Sequence, residues 1–533
     1  MSAAPKELTG SARVPPRHNP WAIAFTVTLA TFMEVLDTSI ANVALPHIAG
    51  GLSATVDEST WVLTSYLVAN AMVLPLSAWA SSMLGRKNFY MLCVAMFTIS
   101  SLMCGMAPTL GMLILFRVLQ GAGGGGLQPS EQAILADTFP PEKFGMAFAI
   151  YGMAVVCAPI IGPTLGGFIV DHVTWRWIFL INVPVGIISL LLSYRMVEDP
   201  PYLVEQKKRA RARMNIDYTG LGLVVVGLGC LQVVLDKGQE DDWLSSHFIV
   251  VLSVIAAVAL VSFVLWEWRQ EHPILDVRLF SQRSFGITAL MMFAMGFGLY
   301  GSTVLLPLYT QQLLGYSAQN AGMVISPGGL ATMFVMPMLG FLITKVQVRW
   351  LIATGFTISA MSLMHMSNIN PQVDFGTAVM YRVYQSISLG FLFVPITTMA
   401  YLGVPQEKNN QVSSIVNLMR NVGGSFGIAM ITTMLARRSQ AHQHQLIAHL
   451  SGYDRVFQDT IKNMTSMLVE RGFSHADATN QAYGRVYGMV QTQSAAMSYV
   501  DAIWVMGVVS LLMIPLVLLL KKNNPREAKM GAH

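Results

Sequence analysis

Two arginines lie in stretches that are otherwise apolar, and they repeat each other's surroundings. The first sits in Leu113-Ile114-Leu115-Phe116-Arg117-Val118-Leu119-Gln120-Gly121, the second in Val379-Met380-Tyr381-Arg382-Val383-Tyr384-Gln385-Ser386. Each is followed by a proline, Pro129 or Pro395, and then by a turn with an acid before a lysine, Pro140-Pro141-Glu142-Lys143 or Pro405-Gln406-Glu407-Lys408. An arginine in hydrocarbon costs about 2.5 kcal/mol or more, so it points to function. Its repetition points to two related halves, a plan shared by many transporters. Glu34 and Asp37, three residues apart, fall on one helical face of the first apolar segment. Carboxylates in a low-dielectric segment are candidate proton carriers; acids facing water near the outer surface are the alternative. Asp37 lies about 24 Å along the helix from Trp21, and Arg117 about 12 Å in from Thr109, so the two reach similar depth. Arg117 could hold Asp37 ionised until a proton or a cationic ligand competes, with Gln120 one turn away to orient it. It could also donate to carbonyls freed by a kink. Arg382 and Gln385 enter at matching depth from Phe375, but one half suffices to handle a proton, so this pair speaks more for ancestry than for chemistry.

These residues need a membrane around them, and composition supplies it. The chain is 53% apolar and only 11% charged, with a mean hydropathy of +0.53, which indicates a polytopic membrane protein. The net charge of +5 comes from loops between apolar segments and does not suggest a nucleic-acid partner. Cys93, Cys104, Cys157 and Cys230 all lie in apolar stretches without CxxC spacing, so neither a disulfide framework nor a metal site is expected. The first apolar stretch is too long for a signal-peptide core and should remain as a helix.

About 20 apolar residues cross a bilayer core, and fourteen segments qualify: 20–44, 58–82, 88–107, 110–136, 144–170, 176–196, 217–236, 247–267, 284–312, 318–343, 349–368, 375–400, 410–436 and 497–520. Pro75, Pro129, Pro159, Pro163, Pro184, Pro307, Pro337 and Pro395 fall inside them and should mark kinks. One side collects nearly all the loop lysines and arginines, among them Arg86, Lys87, Lys143, the cluster Lys207-Lys208-Arg209-Arg211-Arg213, Lys345 and Lys408. The short loops opposite hold only Arg176 and Lys237. That bias places both termini in the cytoplasm. Arg117 and Arg382 are eight segments apart rather than six, so two extra helices separate the halves in a 6 + 2 + 6 arrangement. The expected division is a tail (1–19), a six-helix half (20–196), a basic linker with two inserted helices (197–283), a second six-helix half (284–520) and a tail (521–533). Within the second half, 437–496 is a long polar stretch on the external side; its interleaved apolar residues predict amphipathic helices. It is either a solvated loop or a docking surface. His442, His444 and His449 lie there, but no acid or cysteine completes a metal set.

The fifth segment reads Ala158-Pro159-Ile160-Ile161-Gly162-Pro163-Thr164-Leu165-Gly166-Gly167. Small residues let helices approach closely and Pro163 can bend the helix, so this segment could serve as a flexible seal between halves. Gly121-x-Gly123-x-x-Gly126 matches a dinucleotide fingerprint only in letters, because no strand precedes it. No phosphate-binding G-x-x-x-x-G-K-[ST] occurs, which favours an ion gradient as energy source. Asn42, Asn70, Gln128, Tyr151, Tyr300, Asn417 and Arg420, polar or aromatic residues inside apolar segments, are the expected lining of a central cavity. Arg420, about 15 Å up its helix, could favour anionic or weakly acidic substrates.

Together these motifs resemble the major facilitator superfamily. Leu113-x-x-x-Arg117-x-x-Gln120-Gly121 is similar to its motif B, Gly162-Pro163-x-x-Gly166-Gly167 to its antiporter motif C, and the run from Leu36-Asp37-Thr38 to Leu45-Pro46 to the first-helix motif of its 14-spanner drug/proton antiporters. Motif A departs: aligned on Gly85-Arg86-Lys87, its acid is Ser82 and its leading glycine Ala78. Arg86 and Lys87 could still pair with neighbouring helices. The resemblance implies an all-α major facilitator fold and a proton-driven exporter of lipophilic drugs in a Gram-negative inner membrane. It needs no cofactor and no enzyme chemistry, and it works with a periplasmic adaptor and, through that, an outer-membrane channel. The stretch 437–496 is then the expected adaptor contact. A proton-symporting uptake permease for a small polar metabolite is the alternative, which motif C and the external stretch oppose; a membrane receptor that moves nothing would not need two intramembrane Arg-x-x-Gln copies.

Overall fold

A computed structural model describes residues 17–205, 217–271, 273–448, 450 and 453–522. The basic cluster 207–213, His449 and most of both tails lie outside the described residues. Among the described residues the chain is helical throughout, joined by turns and short 3-10 segments. In lipid every backbone polar group must be satisfied within the segment, and helices do this.

The first half comprises α1 (Pro20–Gly51), α2 (Val56–Leu84), α3 (Arg86–Gly105), α4 (Leu110–Gly124), α5 (Leu127–Thr138), α6 (Phe144–His172), α7 (Trp177–Leu180) and α8 (Asn182–Met196). Two helices follow, α9 (Tyr218–Lys237) and α10 (His247–Arg269). Then come α11 (Arg283–Gln312), α12 (Ala318–Leu342), α13 (Val348–Met366), α14 (Phe375–Tyr401), α15 (Asn409–Ala448), α16 (Arg455–Glu470) and α17 (His475–Val517). Starts are set by local chemistry. Asn19 accepts from the Trp21 amide at 3.0 Å with Pro20 opening the helix, and Thr55 and Glu58 cap each other reciprocally at α2.

Each of the fourteen expected segments is helical, two of them with an internal break. The fourth breaks into α4 and α5 at Gly125-Gly126, where a Cβ would meet the Asn70 carbonyl or Cys93 and Phe89; the bare backbone lies directly on α2 and α3. The sixth breaks between α7 and α8. Pro129 and Pro184 therefore fall in first turns, where a missing N–H costs nothing. The stretch 437–496 is helical, as its interleaved apolar residues predict. α15 runs on for 40 residues and α17 for 43, so both extend past the membrane as continuous helices. The amphipathic α16 packs Ile461, Thr465 and Leu468 inward beside Ala482 and Val486 of α17. Among the described residues eleven helices are long and apolar enough to span, or twelve if α6 is counted across its 44° bend. α13 and α15 fall below that hydropathy, and α15 does so because it carries Asn409, Asn410, Asn417 and Arg420.

Within the first half α1 packs on α6, and α4 on α2 and α3; in the second, α15 packs on α11, and α14 on α12 and α13. The halves meet where α6 lies on α12 and α2 on α15. The inserted α9 lies against α2 and α15 at once.

Candidate functional site

Buried polar side chains run from the basic side of the bundle to its middle, in three connected groups. The group farthest from the basic side is built on α1 and α4. Arg117 Nη1 donates to Asp37 Oδ2 at 2.6 Å, and both side chains are 0% exposed. The guanidinium is fixed by Nε donating to the Val62 carbonyl at 3.1 Å and Nη1 to Gln120 Oε1 at 2.8 Å, with the Tyr66 ring beneath it at 4.4 Å. Gln120 Nε2 donates to Asp37 Oδ1 at 3.1 Å, and Asn182 Nδ2 donates to the same oxygen at 2.7 Å. Ser101 Oγ accepts from both amides. Asp37 thus accepts from a guanidinium and two amides, which satisfies a charged carboxylate out of water. Asn182 and Ser101 were not among the expected site residues. Asn182 opens α8 at the break after Ile181; an asparagine in an apolar segment was the available signal.

One turn along α1, Glu34 has its own partners. Gln128 Nε2 donates to Oε2 at 2.6 Å, and Tyr66 OH and Asn70 Nδ2 each donate to Oε1 at 3.2 Å. Gln128 Oε1 in turn accepts from Arg420 of α15 and from Tyr151 OH. Arg420 Nη1 donates to Tyr151 OH at 2.9 Å. Asn417 receives Tyr151 OH at 3.1 Å and donates to Gln132 Oε1 at 3.0 Å. The expected cavity residues Asn70, Gln128, Tyr151, Asn417 and Arg420 therefore form one network across the halves, and Tyr300 stands beside Arg420. Asn42 lies outside this network: it is exposed and donates to Thr38 of its own helix. Glu131 was missed. It is 0% exposed, accepts from Thr28 Oγ1 at 2.6 Å, and leaves its second oxygen without a partner.

The third group closes the basic side. Gly85, at φ +89°, turns the chain from α2 into α3 and presents Arg86 to α5. Arg86 pairs with Asp137, and its Nε donates to Asn410 of α15 at 2.9 Å. Asn409 Nδ2 donates to Asp137 Oδ1 at 2.7 Å and Tyr202 OH to Oδ2 at 2.8 Å. Burial pushes the Tyr202 phenol up, well above its ordinary range. Ser414 Oγ adds a bond to the Leu74 carbonyl at 2.7 Å. The acid missing from the motif A position is thus supplied by Asp137, at the end of α5; Ser82 only caps its own helix at Trp79.

The proline–glycine segment of α6 lies between α1 and α12. Ser39 Oγ donates to the Pro159 carbonyl at 3.1 Å. A Cβ at Gly162 would strike Ser39, and one at Gly166 would press on Ile40 at 3.0 Å, whereas Gly167 has open space. Farther along, Gly145 and Gly340 bring the α6 and α12 backbones together. Pro163 lies in the segment that follows the bend. Among the described residues no group of three or more His, Cys, Asp or Glu side chains has the arrangement of a metal site.

Comparison with known proteins finds relatives over most of the chain. The profile of the Major Facilitator Superfamily matches residues 27–428. The chain is 37% identical to the multidrug export protein EmrB of Haemophilus influenzae over 86% of its own length and 88% of that protein's. It is 35% identical to EmrB of Escherichia coli over 93% and 94%. Among solved structures, the proton:xylose symporter XylE superposes with a TM-score of 0.61 at 13% identity, covering 96% of this chain and 99% of that one.

Proposed function

The chain belongs to the major facilitator superfamily, in its EmrB-like branch, and on that footing we propose that it is a proton-coupled antiporter that exports hydrophobic or amphipathic drug-like compounds. The observation that carries this reading is the placement of two buried acids one turn apart on α1, each held by a different set of donors. Asp37 is tied inside the first half, to Arg117, Gln120 and Asn182. Glu34 is tied through Gln128 to Arg420 of the second half. A proton on Glu34 removes the counter-charge that Arg420 shares and weakens an acceptor in the bridge between halves. A proton on Asp37 leaves Arg117 without its anion. Proton occupancy and the packing of the halves are thereby linked, as exchange of proton for drug requires. Asn70, Gln128, Tyr151, Tyr300, Asn417 and Arg420 are the proposed drug-facing residues.

The basic side is proposed to face the cytoplasm, with both termini there and the protein in a Gram-negative inner membrane. The far-side extensions of α15 and α17, with α16 between them, are the proposed adaptor contact, through which an outer-membrane channel is reached. Their exposed apolar residues Val456, Met467, Phe473, Tyr483 and Met489 support this. Deletion of 440–490 should abolish co-purification of the adaptor while drug binding to the pump persists; retained co-purification would remove the docking assignment.

The decisive experiment uses everted membrane vesicles with an acid interior. Adding drug should dissipate the pH gradient in vesicles holding the wild-type protein and not in those holding Glu34→Gln. A gradient unaffected by drug in the wild type would defeat the antiporter reading.

A further inference from the structure

Arg382 and Arg117 occupy matching positions in the two halves, and among the described residues Arg117 alone of the two is paired with an acid. Arg117 Nη1 donates to Asp37 and to Gln120. Arg382 Nη1 donates to Gln385 Oε1 at 2.9 Å and to Ser302 Oγ at 3.2 Å. Ser302 lies on α11, the opening helix of the second half as α1 is of the first. The glutamine is kept and the acid is replaced by a hydroxyl.

The imbalance extends through the bundle. The buried acids among the described residues are Glu34, Asp37, Glu131 and Glu267, all of which precede α11. The second half contributes two buried arginines, Arg382 and Arg420, and no buried acid among the described residues. Arg420 reaches Glu34 through Gln128. Arg382, 1% exposed, reaches no carboxylate among the described residues, and its Nε has no partner. Ser386 Oγ, one turn along α14, is also buried and without a partner. Both side chains lie against Gly328 of α12, where any Cβ would displace them. A guanidinium this far from water calls for a counter-charge.

We propose that Arg382, with Ser302 and Ser386, binds a monovalent anion: chloride, or the carboxylate of an amphipathic solute. The guanidinium supplies charge and a planar donor fork, the unpartnered Ser386 hydroxyl supplies a further donor, and Ser302, whose own proton goes to the Leu299 carbonyl at 3.0 Å, holds the fork in place as an acceptor. Entry is from the far side. Arg382 lies about 10 Å along α14 from Phe375, and among the described residues the side-chain hydrogen bonds between α15 and the first half run from Asn409 to Arg420.

The test is an equilibrium measurement on the purified full-length protein in nanodiscs, with gluconate as the background anion, so it does not depend on export or on proton coupling. Chloride, tert-butylbenzoate and the neutral amide of tert-butylbenzoate are titrated separately, and the unfolding midpoint is read. Saturable stabilisation by chloride or by the carboxylate, and none by the amide, supports the site. A response to chloride alone identifies an inorganic ion as occupant; a response to the carboxylate, in competition with chloride, identifies a solute headgroup. Ser302→Asp supplies an internal anion like that of the first half. It should fold, raise the anion-free midpoint and weaken the anion response at least about tenfold; Arg382→Gln should weaken it likewise. A wild-type protein insensitive to both anions, or a Ser302→Asp protein with the full response, would overturn the proposal.

Discussion

Glu34 and Arg420 share one glutamine: the Gln128 amide nitrogen donates to the acid at 2.6 Å while its carbonyl oxygen accepts from the guanidinium. The acid belongs to the first half and the arginine to the second, so a single neutral side chain carries the electrostatic link between them. Tyr151 braces the same link by touching Gln128, Asn417 and Arg420. All of these groups are buried, so each bond removed leaves polar atoms without water to replace it.

Replacing Gln128 by methionine keeps the volume and removes the link. Hydrogen bonds to charged groups are each worth about 1.5–3 kcal/mol, enough for a tenfold or greater change in an equilibrium. Drug binding to purified Gln128→Met protein should lose most of its dependence on pH, while Asp37 and Arg117, which do not touch Gln128, stay paired. Wild-type pH dependence in this variant would exclude the link as a route of coupling.

Asp37→Asn should abolish drug-induced proton movement and also lower the unfolding midpoint, because it strands Arg117 in a fully buried position. Breaking such a pair from one side costs about 3–5 kcal/mol. Adding Arg117→Gln should recover much of the stability without recovering transport. The comparison separates the two roles: a double variant no more stable than Asp37→Asn would mean that Arg117 is held by Val62, Gln120 and Tyr66 rather than by its charge partner.

The halves of this machinery were unequally legible. The helical segments follow from length and hydropathy, although α13 and α15 are less apolar than the rest, and the approach of Arg117 to Asp37 follows from depth along two helices, which rests on the fixed rise of a helix. What depth cannot give is azimuth. Asn42 and Asn70 are both asparagines in apolar segments, yet Asn42 is exposed and bonds Thr38 of its own helix, whereas Asn70 meets Glu34. Asn182 escaped because the break after α7, which aims it at Asp37, has no proline at the break itself to announce it. Glu131 escaped because it sits among polar residues in the run Gln128-Pro129-Ser130-Glu131-Gln132, which reads as a segment end, although α5 is buried along nearly its whole length. The extension 437–496 reads as polar because about half of each helix there faces water, and only packing shows that α15 and α17 are unbroken.

Asp137 offers the clearest way to shift the halves. It receives Arg86 from α3, Tyr202 from the linker and Asn409 from α15, so its removal loosens three elements at once and leaves Arg86, 2% exposed, without its anion. At about 3–5 kcal/mol for a buried pair broken from one side, and a factor of ten for each ~1.4 kcal/mol, Asp137→Ala should raise the population open on the basic side by about a hundredfold or more. The shift is measurable in protein whose four native cysteines are replaced by serine and which carries Ala136→Cys. Ala136 is 0% exposed on α5 in the closed arrangement. A water-soluble maleimide should label that cysteine far faster in the Asp137→Ala background, and Asp137→Glu should restore slow labelling. Tyr202→Phe should have a smaller effect, since Arg86 and Asn409 remain. The Tyr202 contribution should also be insensitive to pH around neutrality: with its phenol raised by burial, the hydrogen bond is fully present below the ordinary phenol range and is lost only in strongly alkaline solution. Equal labelling rates with and without Asp137 would show that the contacts of Ser414 and Asn417 with the first half hold the basic side shut on their own.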